Sequence, residues 1–181
     1  YQDMFKEDLF NGLQQIYLVG CGTAYHACQM GAIWLQESLN IKSEAYIASE
    51  FRYSNPIINS NCLVVFLSQS GETADTLACA TMAKEQKAKI VAITNVEYST
   101  LARMANMVFP LCAGPEIAVA STKAYSAMLV VLYILAKHKM GQAHIINNLK
   151  CLSQNLEINI DESIVEIIKQ SKRVFFIGRN V

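Results

Sequence analysis

LVVFLSQSGETADT, residues 63–76, decides how this chain is read. Its first five residues form an unbroken apolar run, the pattern of a strand buried on both faces of a parallel sheet. Ser68, Gln69, Ser70, Gly71, Glu72 and Thr73 follow. Ala74, Leu77, Ala78 and Thr81 then fall at helical spacing. A strand, a hydroxyl-rich loop and a helix N-terminus in that order make a site for an anion. First-turn N–H groups have no intrahelical acceptor, and the helix dipole places partial positive charge there. Ser68, Ser70 and Thr73 add hydroxyl donors, and Gly71 lets the backbone approach a ligand closely. The loop carries no Lys or Arg, so dipoles and hydroxyls would hold the anion. It lacks the Lys of a GxxxxGK[ST] loop and the spacing of GxGxxG. Taken alone, a Ser/Thr helix cap with a turn glycine explains the loop equally well.

The rest of the chain narrows the class. A length of 181 residues implies one domain, or one domain with an appendage. Fifteen Lys and Arg balance fifteen Asp and Glu, so nothing basic points to nucleic acid. The longest apolar run, 127–136, is short of the roughly 20 residues of a membrane span. The start, YQDMFKEDLF, is charged and amphipathic rather than a secretion signal. Six cysteines occur without a C-x-x-C pair, mostly among apolar neighbours, as reduced core thiols do. The three histidines show no metal-ligand spacing. A cytoplasmic protein with no metal and no cofactor is expected.

Strands are expected at 16–20, 44–47, 63–67, 89–94 and 107–111, with a sixth at 174–177. Helices are expected at 4–13, 24–39, 74–87, 99–105, 121–139, 142–156 and 162–170, the last capped by Asp161. A helical turn is expected at 49–53. Alternation of strands with helices implies an α/β fold, a five-stranded parallel sheet in a three-layer, doubly wound, flavodoxin-like arrangement. In such sheets ligands bind beyond the carboxyl ends of the strands. Thr23 and Ser68 both follow strands directly, so their loops open on one sheet edge. The helix 121–139 is apolar nearly all round, which places it centrally or at a subunit interface. VFFIGRN (174–180) echoes YLVGCG (17–22) and reads as the first strand of a second, truncated copy. The chain thus divides into an N-terminal helix (1–15), a ligand-binding domain (16–140), a helical linker (141–171) and that strand (172–181).

With both loops placed, four motifs carry a resemblance: Cys21-Gly22-Thr23, ASEFRY (48–53), LSQSGETADT (67–76) and AGPEIAVASTKAY (113–125). Together they resemble the isomerase half of glutamine–fructose-6-phosphate aminotransferases, where two sugar isomerase (SIS) subdomains stand in tandem. SQSGET alone would indicate only an SIS domain; ASEF and VASTKA point to the aminotransferase, and the first subdomain. The resemblance implies fructose 6-phosphate as substrate and glucosamine 6-phosphate as product. It implies phosphate contacts from Ser68, Gln69, Ser70 and Thr73, with Thr23 joining them. Val119 and Ser121 would line the sugar end. Cys21, Gly22, Gly71 and Lys123 flank these positions as further candidates. Ala24 stands where many relatives have Ser. The family's catalytic Glu, His and Lys belong to segments outside the matched motifs, as does the glutaminase domain with its Cys nucleophile. No catalytic residue is therefore assigned here. Family members pair through helices, so a homodimer is expected.

Glu72 reads as a local acceptor at a helix start, since a carboxylate beside a phosphate dianion would repel it. Glu116 and Lys123 pair as readily for loop ordering as for catalysis, and His26 reads as structural. Two other functions compete. A sugar-phosphate-sensing regulator needs a DNA-binding domain that the residues before Ile16 are too few to supply. A stand-alone sugar-phosphate isomerase fits ASEF and VASTKA less well.

Overall fold

The computed structural model describes residues 9–117, 121–156, 160–175 and 177. Its contacts divide the chain into two compact units, 1–139 and 140–181. The first unit is a five-stranded parallel sheet in the order β2-β1-β3-β4-β5. The strands are β1 (Gln15–Gly20), β2 (Lys42–Ile47), β3 (Cys62–Ser68), β4 (Lys89–Thr94) and β5 (Met107–Pro110). Its helices are α1 (Thr23–Leu39), α2 (Ala48–Phe51), α3 (Ala74–Glu85), α4 (Thr100–Met104) and α5 (Lys123–Lys137), which runs into a short 3-10 turn, His138–Met140. This is the doubly wound order in which the chain reverses direction across the sheet between β1 and β3.

β3 is central, and all seven of its residues are buried. Successive side chains point to opposite faces, so the apolar run fills two cores at once. Leu63, Val65 and Leu67 join Ile16, Leu18, Val91 and Ile93 under α1 and α5. Val64 and Phe66 join Tyr17, Val19, Ile90 and Ala92 under α2, α3 and α4. The register pairs Leu18 with Val65, and Val65 with Val91, which keeps like faces aligned across the sheet.

The apolar α5 resolves into a buried side and a partly open one. Ala124, Met128, Val131, Leu132, Leu135 and Ala136 are buried, while Ser126 and Val130 are exposed. It lies close against α1. A Cβ on Gly31 would meet Leu132 Cδ2 and Leu18 Cδ2 at 2.8 Å. A larger residue there would force the Leu132 and Leu18 side chains to shift. One side of the helix therefore packs inside the subunit, while the strip at Ser126 and Val130 stays open.

The second unit contains α6 (Gln142–Gln154) and α7 (Glu162–Gln170). Asp161 caps α7 as expected, its Oδ1 accepting the Ser163 N–H at 2.8 Å. Ile164, Ile167 and Ile168 of α7 are exposed. The expected strand at 174–177 falls partly outside the described residues, and 174, 175 and 177 pair with no strand. Half of the expected helix 4–13, residues 4–8, also lies outside them; residues 9–12 form a turn. The thiols divide too. Cys28, Cys62 and Cys79 are buried, whereas Cys112 and Cys151 are exposed, because both lie where the chain has left the core-facing positions. Among the described residues, no helix is long and apolar enough to cross a membrane.

Candidate functional site

A cleft of about 240 Å³ opens at the carboxyl ends of β1 and β3, where the sheet order reverses. Three segments line it. Cys21, Thr23 and Ala24 come from the β1–α1 junction; Leu67, Ser68, Gln69, Ser70 and Thr73 come from the end of β3 and the loop before α3. Ser121 and Met128 come from the approach to α5 and its second turn. Among the described residues, no Lys, Arg, Asp, Glu or His lines this cleft. Cys21 contributes a thiol to the lining.

The loop is built from its own hydroxyls. Ser68, only 4% exposed, accepts the Gly71 N–H at 3.0 Å and shares a hydrogen bond with Thr73 Oγ1 at 3.2 Å. Ser70 accepts the Glu72 N–H at 3.2 Å. Gly71 takes φ +67°, which turns the chain away from Ser68 toward α3. Thr73 occupies the N-cap of α3, yet its side chain makes no cap bond. It faces Ser68 instead. The same holds for α1, where Gly22 stands at the N-cap without a side chain to offer. Neither N-cap residue therefore bonds its own helix through a side chain, and the acidic side chain in the first turn of α3 is Asp75. Thr73 is thus no side-chain cap of α3, its hydroxyl being engaged with Ser68.

The sequence candidates sort as follows. Thr23, Ser68, Gln69, Ser70, Thr73, Ser121 and Cys21 share the cleft. Gly22 and Gly71 shape the two loops without lining it. Lys123 is exposed; its Nζ lies 3.9 Å from where a Gly114 Cβ would be, on the 113–116 segment rather than in the cleft. Val119 lies outside the described residues. Leu67 and Met128 line the cleft though neither was singled out beforehand. Met128 had a signal: it stands seven residues after Ser121, two helical turns along one side.

The two doubtful carboxylates prove to be latches. Glu72 Oε1 accepts the Thr100 N–H at 2.7 Å and so serves the start of α4 rather than α3. That backbone N–H holds the Glu72 carboxyl below its ordinary value of 4.5. Glu116 accepts the Thr122 N–H at 2.7 Å and the Ser121 hydroxyl at 3.4 Å, just before α5. The Thr122 N–H is also the main reason its carboxyl is lowered from 4.5. Among the described residues no ion pair joins Glu116 to Lys123. His26 is exposed and bonded to Gln29 at 3.1 Å. No cluster of three or more His, Cys, Asp or Glu is placed to hold a metal among the described residues.

Comparison with known proteins gives three kinds of match. The family pattern described as the SIS domain covers residues 10–138. Over 192 residues the chain is 42% identical to a glutamine–fructose-6-phosphate aminotransferase [isomerizing] of Caldanaerobacter subterraneus, covering 97% of this chain and 31% of that protein. The enzyme of the same name from Clostridium tetani is 52% identical over 124 residues, or 68% of this chain and 20% of that protein. The chain spans about a third or less of the curated relatives it matches. Among solved structures, the C-terminal domain of glucosamine-fructose-6-phosphate aminotransferase from Francisella tularensis superposes with a TM-score of 0.72. It is 35% identical, with 81% of this chain and 43% of that one covered. Glucosamine-6-phosphate deaminase from Thermotoga maritima shares the fold at a TM-score of 0.66 and 23% identity, covering 80% of this chain and 47% of that one.

Proposed function

Because the chain belongs to the SIS domain family, we propose that it is the sugar-phosphate-binding part of a glutamine–fructose-6-phosphate aminotransferase. The ligands would be fructose 6-phosphate and glucosamine 6-phosphate. One observation carries this reading: Thr23, Ser68, Gln69, Ser70, Thr73 and Ser121, from three separate segments, converge on one cleft between two helix N-termini. In this reading the phosphate sits against Ser70, Thr73 and the start of α3, and the sugar extends toward Ser121. Ser68, engaged with Gly71 and Thr73, mainly holds the loop in shape.

Binding is one function and chemistry another. Moving a proton between C1 and C2 needs a group positioned as acid or base. The cleft offers no carboxylate, imidazole or amine among the described residues. Glu116, a carboxylate next to its sugar end, is engaged with Thr122. We therefore assign this chain the binding role, the proton transfer and the ammonia supply falling to a second SIS subdomain and a glutaminase domain. A homodimer formed over the open strip of α5, and residence in the cytoplasm, complete the reading.

Calorimetry with fructose 6-phosphate tests it, together with product assay in the presence of ammonia. A half-site of this kind should bind at about 0.1–1 mM. Ser70→Ala and Thr73→Val should each weaken binding by about five- to tenfold, the size of one net hydrogen bond. No glucosamine 6-phosphate should form. Unchanged affinity in both variants would put the ligand elsewhere, and turnover lost in Glu116→Gln would make this a self-sufficient catalyst.

A further inference from the structure

The two ends of the cleft come from segments far apart in the chain, and one side chain outside the cleft ties them together. Asn95 follows β4 directly and does not line the cleft. Its backbone N–H donates to the Gln69 carbonyl at 3.1 Å, inside the hydroxyl loop. Its side-chain Nδ2 donates to the Gly114 carbonyl at 2.7 Å, and its Oδ1 accepts the Ala113 N–H at 3.0 Å. The amide thus presents a donor and an acceptor to two successive residues. The pair of bonds also fixes which end of the amide is which. Thr94 supports the same contact, its Oγ1 reaching the Gln69 carbonyl at 3.4 Å and its carbonyl taking the Leu111 N–H at 2.9 Å.

The segment that Asn95 grips leads to the sugar end. Two residues beyond Gly114, Glu116 bonds to Thr122 and Ser121. An unbroken series of short links therefore runs from Gln69 through Asn95, Gly114 and Glu116 to Ser121. Gln69 and Ser121 both line the cleft.

We propose that Asn95 is a positioning residue that sets the separation between the phosphate end and the sugar end, and so determines selectivity for a hexose phosphate over a bare phosphate. The proposal rests on the cleft being a sugar-phosphate site. The Asn95 bond to Gln69 is made by backbone, so it survives substitution and the hydroxyl loop keeps its support. What substitution releases is the 113–116 segment and, with it, Ser121. Asn95→Asp is the sharper variant: it keeps size and the acceptor for Ala113, but sets a carboxylate oxygen against the Gly114 carbonyl. Asn95→Ala removes both bonds without adding charge.

The full chain and both variants are titrated with fructose 6-phosphate and, separately, with inorganic phosphate, with Trp34 fluorescence reporting the fold. The expected result is fructose 6-phosphate affinity lower by about tenfold in both variants, the equivalent of one broken polar contact, with phosphate affinity within about twofold of the parent. Equal losses for both ligands, or variants that no longer fold, would make Asn95 a plain structural staple and overturn the proposal. Undiminished fructose 6-phosphate binding would overturn it while leaving the site assignment intact. A parent chain that binds neither ligand would remove the site assignment, and this proposal with it.

Discussion

Replacing Gly71 with Ala should damage the hydroxyl loop through two separable effects. The first is conformational: φ is +67°, where an L side chain costs about 1–2 kcal/mol. The second is steric. A Cβ there would overlap the Ser99 hydroxyl and come within 2.5 Å of Ser99 Cβ. Ser99 is no bystander, because it caps α4 by accepting the Ala102 N–H at 3.3 Å. Pushing it aside sacrifices a cap worth about 0.5–2 kcal/mol. The sum is about 1.5–4 kcal/mol, or about 3–16 °C in melting temperature for a chain of this size. Gly12 supplies the control. Its φ is +73°, yet a Cβ there meets nothing within 4 Å, so Gly12→Ala should show the conformational cost alone. Ser99→Gly supplies the rescue. Glycine serves at an N-cap at a cost of only a few tenths of a kcal/mol, and it clears both clashing atoms. Denaturant unfolding followed through Trp34 should then show the double variant less destabilised than the sum of the single ones, by about 1–2 kcal/mol. Additive losses, or a Gly71→Ala penalty no larger than that of Gly12→Ala, would refute the steric argument.

Two further expectations concern titration and thiol chemistry. The Glu72 and Glu116 carboxyls are both lowered on folding by backbone N–H donors, so their stabilisation is fully present above the ordinary value of 4.5 and is lost as the pH falls below it through the folded values. Denaturation midpoints measured down to about pH 3 should therefore fall, and fall less steeply in Glu72→Gln and Glu116→Gln, since an amide has no proton to gain. With a thiol reagent, exposed Cys112 and Cys151 should react first and Cys21 more slowly. Cys28, pushed far up by burial, and Cys79, pushed up to about 11 mainly by burial, should wait for unfolding. Saturating fructose 6-phosphate should slow Cys21 alone; an unchanged Cys21 rate in the ligand-bound chain would remove that thiol from the binding cleft.

What the sequence revealed follows from which forces are local. The apolar run 63–67 determined β3, because a strand buried on both faces leaves no polar position to mislead the reading. The cleft residues Thr23, Ser70 and Thr73 were legible because each lies between a strand's carboxyl end and the next helix, where topology brings loops together. Asn95 was not. Its partners lie 18 and 19 residues away, and no local pattern distinguishes an amide that grips a distant loop from one that faces water. Glu72 illustrates the same limit: its position at a helix start suggested the helix that follows it, while the geometry gave it to α4, 28 residues on. For α5 the composition named a buried helix but not the neighbour, which Gly31 supplies from the middle of α1.

The cleft straddles two helical layers that the sheet keeps apart. Thr23 opens α1 and Ser121 leads into α5, both seated on one face; Ser70 and Thr73 lead into α3 on the other. A molecule touching all four would act as a rivet through the rim of the sheet. Its binding energy would then oppose local opening of either layer, although the layers' apolar cores are separate. Occupancy at one small polar cleft would thereby set the amide-exchange protection of α1, α3 and α5 together, making the ligand a determinant of cooperativity across the whole sheet.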